Sequence, residues 1–234
     1  MSLTLDNTLR QYDYWAILYR RTWKGSIVTS FLMPLLYLAA MGVGLGSFVD
    51  DSASSAQALG GVSYLQFLAP GLLAATAMQI GVFESTYPIM GGIKWQRIYF
   101  GMIATPLRPA DVMIGQLAFI AFRIATTCVV FIGVIAAFGG LASPLGVLAL
   151  PVAVLVGMAT AAPVAAITTR LNNDTGFALI FRFGVIPMFL FSGAFFPVSQ
   201  LPDAVEWIAY LSPLWHAVDL ARALSLGDVA APPA

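Results

Sequence analysis

Charged residues are scarce in this sequence: Asp, Glu, Lys and Arg together make up 9% of the 234 residues, whereas hydrophobic residues make up 59%. A soluble domain has about 25% charged residues, so a soluble chain of this composition would lack the polar side chains needed to cover its surface. The single cysteine, Cys128, cannot support a disulfide framework. The composition therefore indicates an integral membrane protein.

Residues that commonly carry catalysis or bind metals are rare as well. One histidine and one cysteine, without paired carboxylates at ligand spacing, do not make a zinc site. A phosphate-binding loop needs a glycine directly before its lysine, but Lys24 and Lys94 follow Trp23 and Ile93. We expect no catalytic residue, no metal site, no cofactor site and no ATP hydrolysis by this chain alone.

Long apolar runs occupy most of the chain. A helix that crosses a bilayer needs about 20 mostly apolar residues. Five runs reach this length: 26–48, 65–89, 112–138, 145–168 and 175–196. The sequence therefore predicts an all-α, polytopic bundle with a transmembrane domain over residues 26–196.

The distribution of basic residues predicts the orientation, because short cytoplasmic loops are rich in Lys and Arg. Eight basic residues lie before the first run, between the second and third, and after the fourth: Arg10, Arg20, Arg21, Lys24, Lys94, Arg97, Arg108 and Arg170. The segments on the opposite side, 49–64, 139–144 and 197–234, contain a single basic residue, Arg222. We expect a cytoplasmic N-terminus.

Residues 1–25 predict an amphipathic helix that lies in the cytoplasmic interface. Apolar residues recur at spacings of three and four: Leu5, Leu9, Tyr12, Ala16, Tyr19 and Trp23. Basic and aromatic residues side by side suit a membrane surface. Packing of this helix on a soluble partner domain is the alternative.

Residues 197–234 predict two short helices and a tail on the outer face. Pro202 and Pro213 each suit a first helical turn, and the helices 202–211 and 213–224 are too short to span a bilayer. Trp207 is typical of a membrane interface. His216, Asp219 and Arg222 recur every three residues, which favours a hydrogen-bonded interface helix over a catalytic group.

The loop 91–110 mixes basic and large aromatic residues. Gly91 and Gly92 predict the end of the second span, and Pro106 and Pro109 mark the approach to the third span. Between them a short cytoplasmic helix would carry the residues Ile93, Lys94, Trp95, Arg97, Tyr99 and Phe100. This helix is either an aromatic anchor in the interface or a docking surface for a cytoplasmic partner.

Three charged residues fall inside predicted spans: Glu84, Arg123 and Arg182. Charges inside a membrane are costly and therefore suggest function. Glu84 lies about 9 Å and Arg123 about 17 Å from the inner ends of their spans. Since an arginine side chain reaches several ångströms toward the interface, the two are expected to pair, as a packing contact or a functional site. Arg182 would face a hydrated cavity or an anionic substrate group.

Several short motifs follow one another along the chain. They are Phe83-Glu84-Ser85-Thr86-Tyr87, Thr105-Pro106-Leu107, Phe191-Ser192-Gly193-Ala194-Phe195-Phe196-Pro197, Leu201-Pro202, Ser212-Pro213-Leu214, His216-Ala217-Val218-Asp219 and Arg222. In this order, after an amphipathic helix, they resemble the type-2 permease subunit of ATP-binding cassette (ABC) exporters, in the branch with daunorubicin-resistance and nodulation-factor exporters. The resemblance covers essentially the whole chain.

The resemblance implies a bacterial plasma-membrane exporter for an amphipathic, drug-like or lipid-linked substrate. This chain would pair with a second copy or a homologous permease and contact membrane lipids, while cytoplasmic ABC ATPase subunits bind ATP and Mg. Loop 91–105 would be the coupling helix, and a sixth span would follow residue 224. No nucleic-acid partner is expected. An ATP-independent carrier and a lipid-modifying membrane enzyme are the alternatives.

Overall fold

The computed structural model describes residues 5–27, 32–46, 62–198 and 203–227, and the regular elements within these ranges are helices. The α-helices are α1 (Leu5–Ile27), α2 (Met33–Tyr37), α3 (Tyr64–Ser85), α4 (Tyr87–Met90), α5 (Ile98–Ile103), α6 (Pro109–Ala137), α7 (Ala149–Arg170), α8 (Thr175–Leu179), α9 (Ile186–Leu190), α10 (Asp203–Leu211) and α11 (Pro213–Leu226). Wider π-helical turns continue three of them, at Leu38–Leu45, Gly91–Trp95 and Ile180–Val185, and a 3₁₀ turn, Pro144–Leu148, precedes α7.

Three helical stretches in the described part of the chain are long and apolar enough to cross a membrane: Tyr64–Trp95, Pro109–Ala137 and Pro144–Arg170. They correspond to the second, third and fourth predicted runs and confirm a helical membrane protein. The first run, 26–48, lies partly outside the described residues. Its described part is helical from Met33 to Leu45.

The fifth predicted run, 175–196, is too long for the helix that the structure contains. Helical residues extend from Thr175 to Leu190 only. The chain turns beyond them, where Gly193 adopts a φ of 72°, a conformation that glycine reaches without steric cost. The Ser192 hydroxyl supports the turn by donating to the Phe189 carbonyl over 2.8 Å. The prediction ran past this turn because the residues after Leu190 are apolar as well, and apolar length was its only criterion.

Helix α3 lies at the centre of the bundle and crosses α7 at very close range. A Cβ atom added to Gly157 of α7 would lie 2.8 Å from the carbonyl oxygen of Ala77 in α3, and Gly81 is equally tightly placed against Gly157. Small residues permit such close approach of two membrane helices. Helices α6 and α11 pack on other sides of α3.

The glycine pair does not end the second span as predicted. The helix is interrupted earlier, at Thr86 with φ −100° and ψ −94°, and then continues through Gly91 and Gly92 to Trp95. Gly92 allows the Tyr99 ring to pack closely against the helix, because a Cβ at residue 92 would lie 3.0 Å from that ring. The chain reverses only at Arg97, which has a φ of 54°.

Helix α1 packs along α6 with a face that includes Tyr12 and Tyr19 of the predicted stripe, whose rings lie edge-on to Phe119, but that does not include Leu9. Leu9 is 56% exposed, whereas Gln11 and Trp15 are buried. Gln11 fits because residue 115 of α6 is glycine: a Cβ there would lie 2.5 Å from Gln11 Cγ. The buried face of α1 is therefore set by its partner helix as well as by its own apolar spacing.

Helix α11 is part of the bundle and does not merely rest on its surface. It begins at Pro213 as predicted and ends at Leu226, where Gly227 has a φ of 80°. One face, including Leu214, Val218 and Ala221, is fully buried against α3 and α7.

Candidate functional site

An ion pair joins α3 and α6 beneath α1. Arg123 Nη2 lies 3.0 Å from Glu84 Oε1, and each side chain is 14% exposed. The Arg123 guanidinium also lies 4.7 Å from the ring centroid of Tyr19 in α1. The structure therefore contains the pair that counting along the two spans predicted, and it adds a cation–π contact from a third helix.

A cavity of about 200 Å³ lies beside this pair. Its walls come from α1, α3, α4 and α6, and the lining residues are Trp15, Leu18, Tyr19, Glu84, Pro88, Gln116, Phe119 and Arg123. We call this space the α1 cavity. It combines one cation, one anion, aromatic rings and an amide, which is the composition of a site for a small polar group.

Several polar atoms around the α1 cavity lack hydrogen-bond partners among the described residues. They are Trp15 Nε1, Gln116 Oε1 and Arg123 Nε. A buried polar atom left unpaired costs about 1–3 kcal/mol, and the described residues contain six more such atoms that do not belong to the lining residues: Gln11 Nε2, Ser85 Oγ, Tyr99 Oη, Asp111 Oδ1, Thr168 Oγ1 and Ser225 Oγ. Trp15 and Gln116 were not singled out from the sequence, because neither interrupts an apolar pattern with a charge.

The predicted coupling residues form a largely exposed surface at the same end of the bundle. Trp95 is 60% and Phe100 is 56% exposed, and Lys94 and Arg97 are exposed beside them, while Ile93 is half-buried. We call the exposed residues Lys94, Trp95, Arg97 and Phe100 the loop patch. Large exposed aromatic side chains next to basic ones are typical of binding surfaces.

Tyr99 differs from the other coupling residues because it is buried. Its ring packs on Gly92 and lies edge-on to Trp15, with 6.2 Å between the ring centroids. This burial raises the pKa of the Tyr99 hydroxyl well above its usual value. Tyr99 therefore connects the loop patch to α1 from inside.

Arg182 lies away from these residues. It is exposed on the π-helical turn Ile180–Val185 and is not among the residues that line the α1 cavity. Its predicted role toward a hydrated path or an anionic group stays a prediction.

Arg222 of α11 is held at the opposite end of the bundle. Its Nη2 donates to the Gly193 carbonyl over 2.7 Å, and its Nε donates to the Phe67 carbonyl over 3.3 Å. The guanidinium carbon lies 3.8 Å from the Phe67 ring centroid. Burial lowers the pKa of Arg222 to about 10, against the influence of Asp219, so the side chain stays charged at neutral pH.

The structure describes all but one of the other predicted outer-face residues. His216 is exposed, and its ring lies edge-on to Trp215 at 4.9 Å. Asp219 is half-buried, and burial raises the pKa of its carboxyl group. Pro213 begins α11, Trp207 is exposed on α10, and Pro202 lies outside the described residues. Arg222 binds main-chain carbonyls, which is a structural use of its charge.

The bundle of bilayer-length helices with charges paired in its interior defines an α-helical integral membrane protein. The chain belongs to the ABC-2 type transporter family, which matches residues 13–226. It is therefore a permease component of a bacterial ABC transporter for export, a transport subunit and not itself an enzyme.

Three relatives are each called nodulation protein J. The protein from Rhizobium leguminosarum bv. trifolii is 37% identical over 222 residues, covering 91% of this chain and 81% of the relative. That from Rhizobium leguminosarum bv. viciae is 36% identical, covering 92% and 83%. That from Rhizobium meliloti (strain 1021) is 35% identical, covering 92% and 82%. No solved structure matches the chain.

Proposed function

We propose that this chain forms the translocation path of an ATP-driven exporter, and that a separate ABC ATPase subunit binds ATP and Mg and hydrolyses the nucleotide. The N-terminus lies in the cytoplasm, and a second copy or a homologous permease completes the path. The substrate is an amphipathic, drug-like or lipid-linked molecule. The observation that carries the proposal is the exposed loop patch, in a chain that has no phosphate-binding loop of its own.

The loop patch has the features of a protein-docking surface. Trp95 and Phe100 lie on either side of the chain reversal at Arg97, and both present large apolar side chains outside the bundle. Tryptophan and arginine are enriched among the residues that dominate protein–protein binding. A partner that covers this patch would gain apolar area and charge contacts together.

The packing behind the loop patch supports coupling to the membrane helices. Tyr99 lies against Gly92 and Trp15, and Trp15 packs on Phe119 of α6 with 6.2 Å between ring centroids. A displacement of the loop would therefore press on α1 and α6 through close-packed rings, which transmit strain because they are not compressible.

Affinity purification of the tagged chain from native membranes in mild detergent tests the proposal. We expect a stoichiometric P-loop ATPase in the eluate by mass spectrometry. Trp95→Ala and Phe100→Ala should each reduce its recovery at least about tenfold, since an aromatic residue central to an interface contributes about 2 kcal/mol or more. Tyr99 is unsuitable for this test because it is buried.

Trp207→Ala is the matched control, because Trp207 is an exposed tryptophan on α10, outside the loop patch. Recovery of the ATPase with this variant should equal the wild-type value. Absence of any ATPase from folded wild-type protein would overturn the exporter proposal. Equal recovery with Trp95→Ala, Phe100→Ala and Trp207→Ala would overturn the assignment of the docking surface.

A further inference from the structure

Arg97 has a backbone conformation that is unusual for its residue type. Four residues within the described ranges have a positive φ, and the other three are glycines: Gly139, Gly193 and Gly227. Arg97 has a φ of 54° and a ψ of 25°, which lie in the left-handed helical region. A residue with a Cβ atom is sterically disfavoured in this region, whereas glycine is not. The turn itself would therefore favour glycine over arginine at residue 97.

The fold gives no use to the Arg97 side chain. It is exposed, and it does not cap the helix α5 that follows. Among the described residues, it takes part in no ion pair and no cation–π contact. Its backbone carbonyl accepts from the nitrogens of Phe100 and Gly101, but a glycine would make these bonds equally well. A side chain that disfavours its own turn and has no such contact within the described chain points to a contact outside it.

The surface beside Arg97 is apolar and open. Phe100 is 56% and Ile103 is 40% exposed, and Gly101 and Ala104 are exposed as well. A Cβ atom added to Gly101 would have nothing within 4 Å, so this side of α5 faces open space. A partner can therefore approach the α5 backbone closely and cover an uncharged surface that has Arg97 at its edge.

The segment around Arg97 carries positive charge without compensation. Residues 91–110 contain Lys94, Arg97 and Arg108 and no Asp or Glu. The next acidic residue, Asp111, is buried. A partner surface that complements this segment therefore supplies negative charge of its own. A guanidinium group forms two parallel hydrogen bonds with a single carboxylate, and this geometry requires both groups to be held in place.

A folded protein accounts for the conformation of Arg97 better than a membrane surface does. Anionic lipids attract Lys and Arg through charge, and mobile headgroups do not require one fixed backbone position. The left-handed turn holds Arg97 at one place beside the uncharged side of α5. A carboxylate at the edge of an apolar pocket matches this arrangement.

We propose that Arg97 pairs with a carboxylate at the rim of an apolar pocket on the ABC ATPase subunit, and that Phe100 enters this pocket. The chain keeps arginine at a position that favours glycine because the partner contact needs the guanidinium group. This inference rests on the proposed function, since it describes the partner surface that the loop patch binds.

Co-purification of the ATPase with the tagged chain tests the role of Arg97, and thermal unfolding of each purified variant in mild detergent is the second readout. Arg97→Gly should lower recovery of the ATPase at least about tenfold. Its unfolding midpoint, measured without the ATPase, should equal the wild-type value or rise by up to about 3 °C. The relief of the disfavoured turn is opposed by the flexibility that glycine adds to the unfolded chain. An arginine with a purely structural role would instead lower the midpoint when it is replaced.

Two further variants separate the shape of the side chain from its charge. Arg97→Lys keeps the charge but cannot form two parallel hydrogen bonds with one carboxylate, so recovery of the ATPase should fall at least about threefold. Arg170→Ala is the matched control, because it removes one exposed arginine at the end of α7, outside the loop patch. Its recovery should equal the wild-type value.

The outcomes divide clearly. Lower recovery with Arg97→Gly, at an unfolding midpoint no lower than that of the wild type and with Arg170→Ala unaffected, supports the proposal. Wild-type recovery with Arg97→Gly would overturn it and leave the proposed function in place. An equal fall with Arg170→Ala would overturn it as well, because net charge would then explain the effect. Wild-type recovery with Arg97→Lys would overturn the two-bond pairing with a carboxylate. Absence of the ATPase from the wild-type eluate would instead overturn the proposed function itself.

Discussion

The two ends of the bundle use their arginines in opposite ways. At the α11 end, Arg222 donates to two main-chain carbonyls and covers the Phe67 ring. At the α1 end, Arg123 has an ion pair and a cation–π contact, yet its Nε has no partner in the described structure and it borders a cavity. The first arrangement fixes α11 to the rest of the bundle, and the second lies at the border of an open space.

This difference extends to the surroundings of each arginine. At the α11 end, the Ser225 carbonyl accepts from the backbone nitrogens of Ala142 and Ser143 at 3.1 and 3.0 Å, which fastens the helix to the loop before α7. At the α1 end, buried side-chain atoms of Trp15 and Gln116 have no hydrogen-bond partner within the described ranges, and at the α11 end the same holds for the Ser225 hydroxyl. Functional sites commonly keep polar groups that cost stability, so we expect mutations to affect the two ends differently.

Arg222→Met should have the largest effect on stability. The variant loses two hydrogen bonds from a charged donor and a cation–π contact, and it leaves the Gly193 and Phe67 carbonyls without that donor. We expect a loss of about 3 kcal/mol in unfolding free energy, measured by thermal unfolding in mild detergent. Arg170→Met, at an exposed helix end, should cost less than about 1 kcal/mol. Equal losses in both would contradict an anchoring role for Arg222.

Glu84→Gln should be the next most costly change. It leaves the Arg123 charge without its carboxylate in a mostly buried position, for a loss of about 2 kcal/mol. Arg123→Gln removes the other partner. The double variant should lose clearly less than the sum of the two single losses, because the partners interact directly. Additive losses in the same unfolding measurement would show that the two charges are independent.

Ser212→Ala tests the α11 end with a smaller expected loss of stability. The Ser212 hydroxyl accepts from the Leu214 backbone nitrogen over 3.3 Å and caps the N-terminus of α11. Loss of such a cap costs about 1 kcal/mol. Ser212→Thr keeps a hydroxyl and should stay within about 0.5 kcal/mol of the wild type. Equal stability of Ser212→Ala and the wild type would mean that α11 needs no cap.

Sequence reasoning predicted the three helical stretches of membrane-spanning length because apolar length is a property of one segment by itself. It also predicted the start of α11, from Pro213, and the proximity of Glu84 and Arg123, from their depth in neighbouring spans. It missed the cavity. The buried face of α1 depends on the space that Gly115 leaves for Gln11 across the helix pair, and no periodicity within α1 contains that information. The orientation of the N-terminus and the coupling role of the loop patch stay predictions.

Gln116→Leu should have the smallest effect on stability, and its sign tests the comparison most directly. The Gln116 side chain is buried with its Oε1 unpaired, and a leucine of similar volume removes that cost. We expect the unfolding free energy to stay within about 0.5 kcal/mol of the wild type or to rise by up to about 1 kcal/mol, whereas Ser212→Ala lowers it. A loss above about 1 kcal/mol in Gln116→Leu would assign the amide a structural role. The α1 end would then contribute to stability in the same way as the α11 end, and the unpaired groups around the cavity would need another explanation.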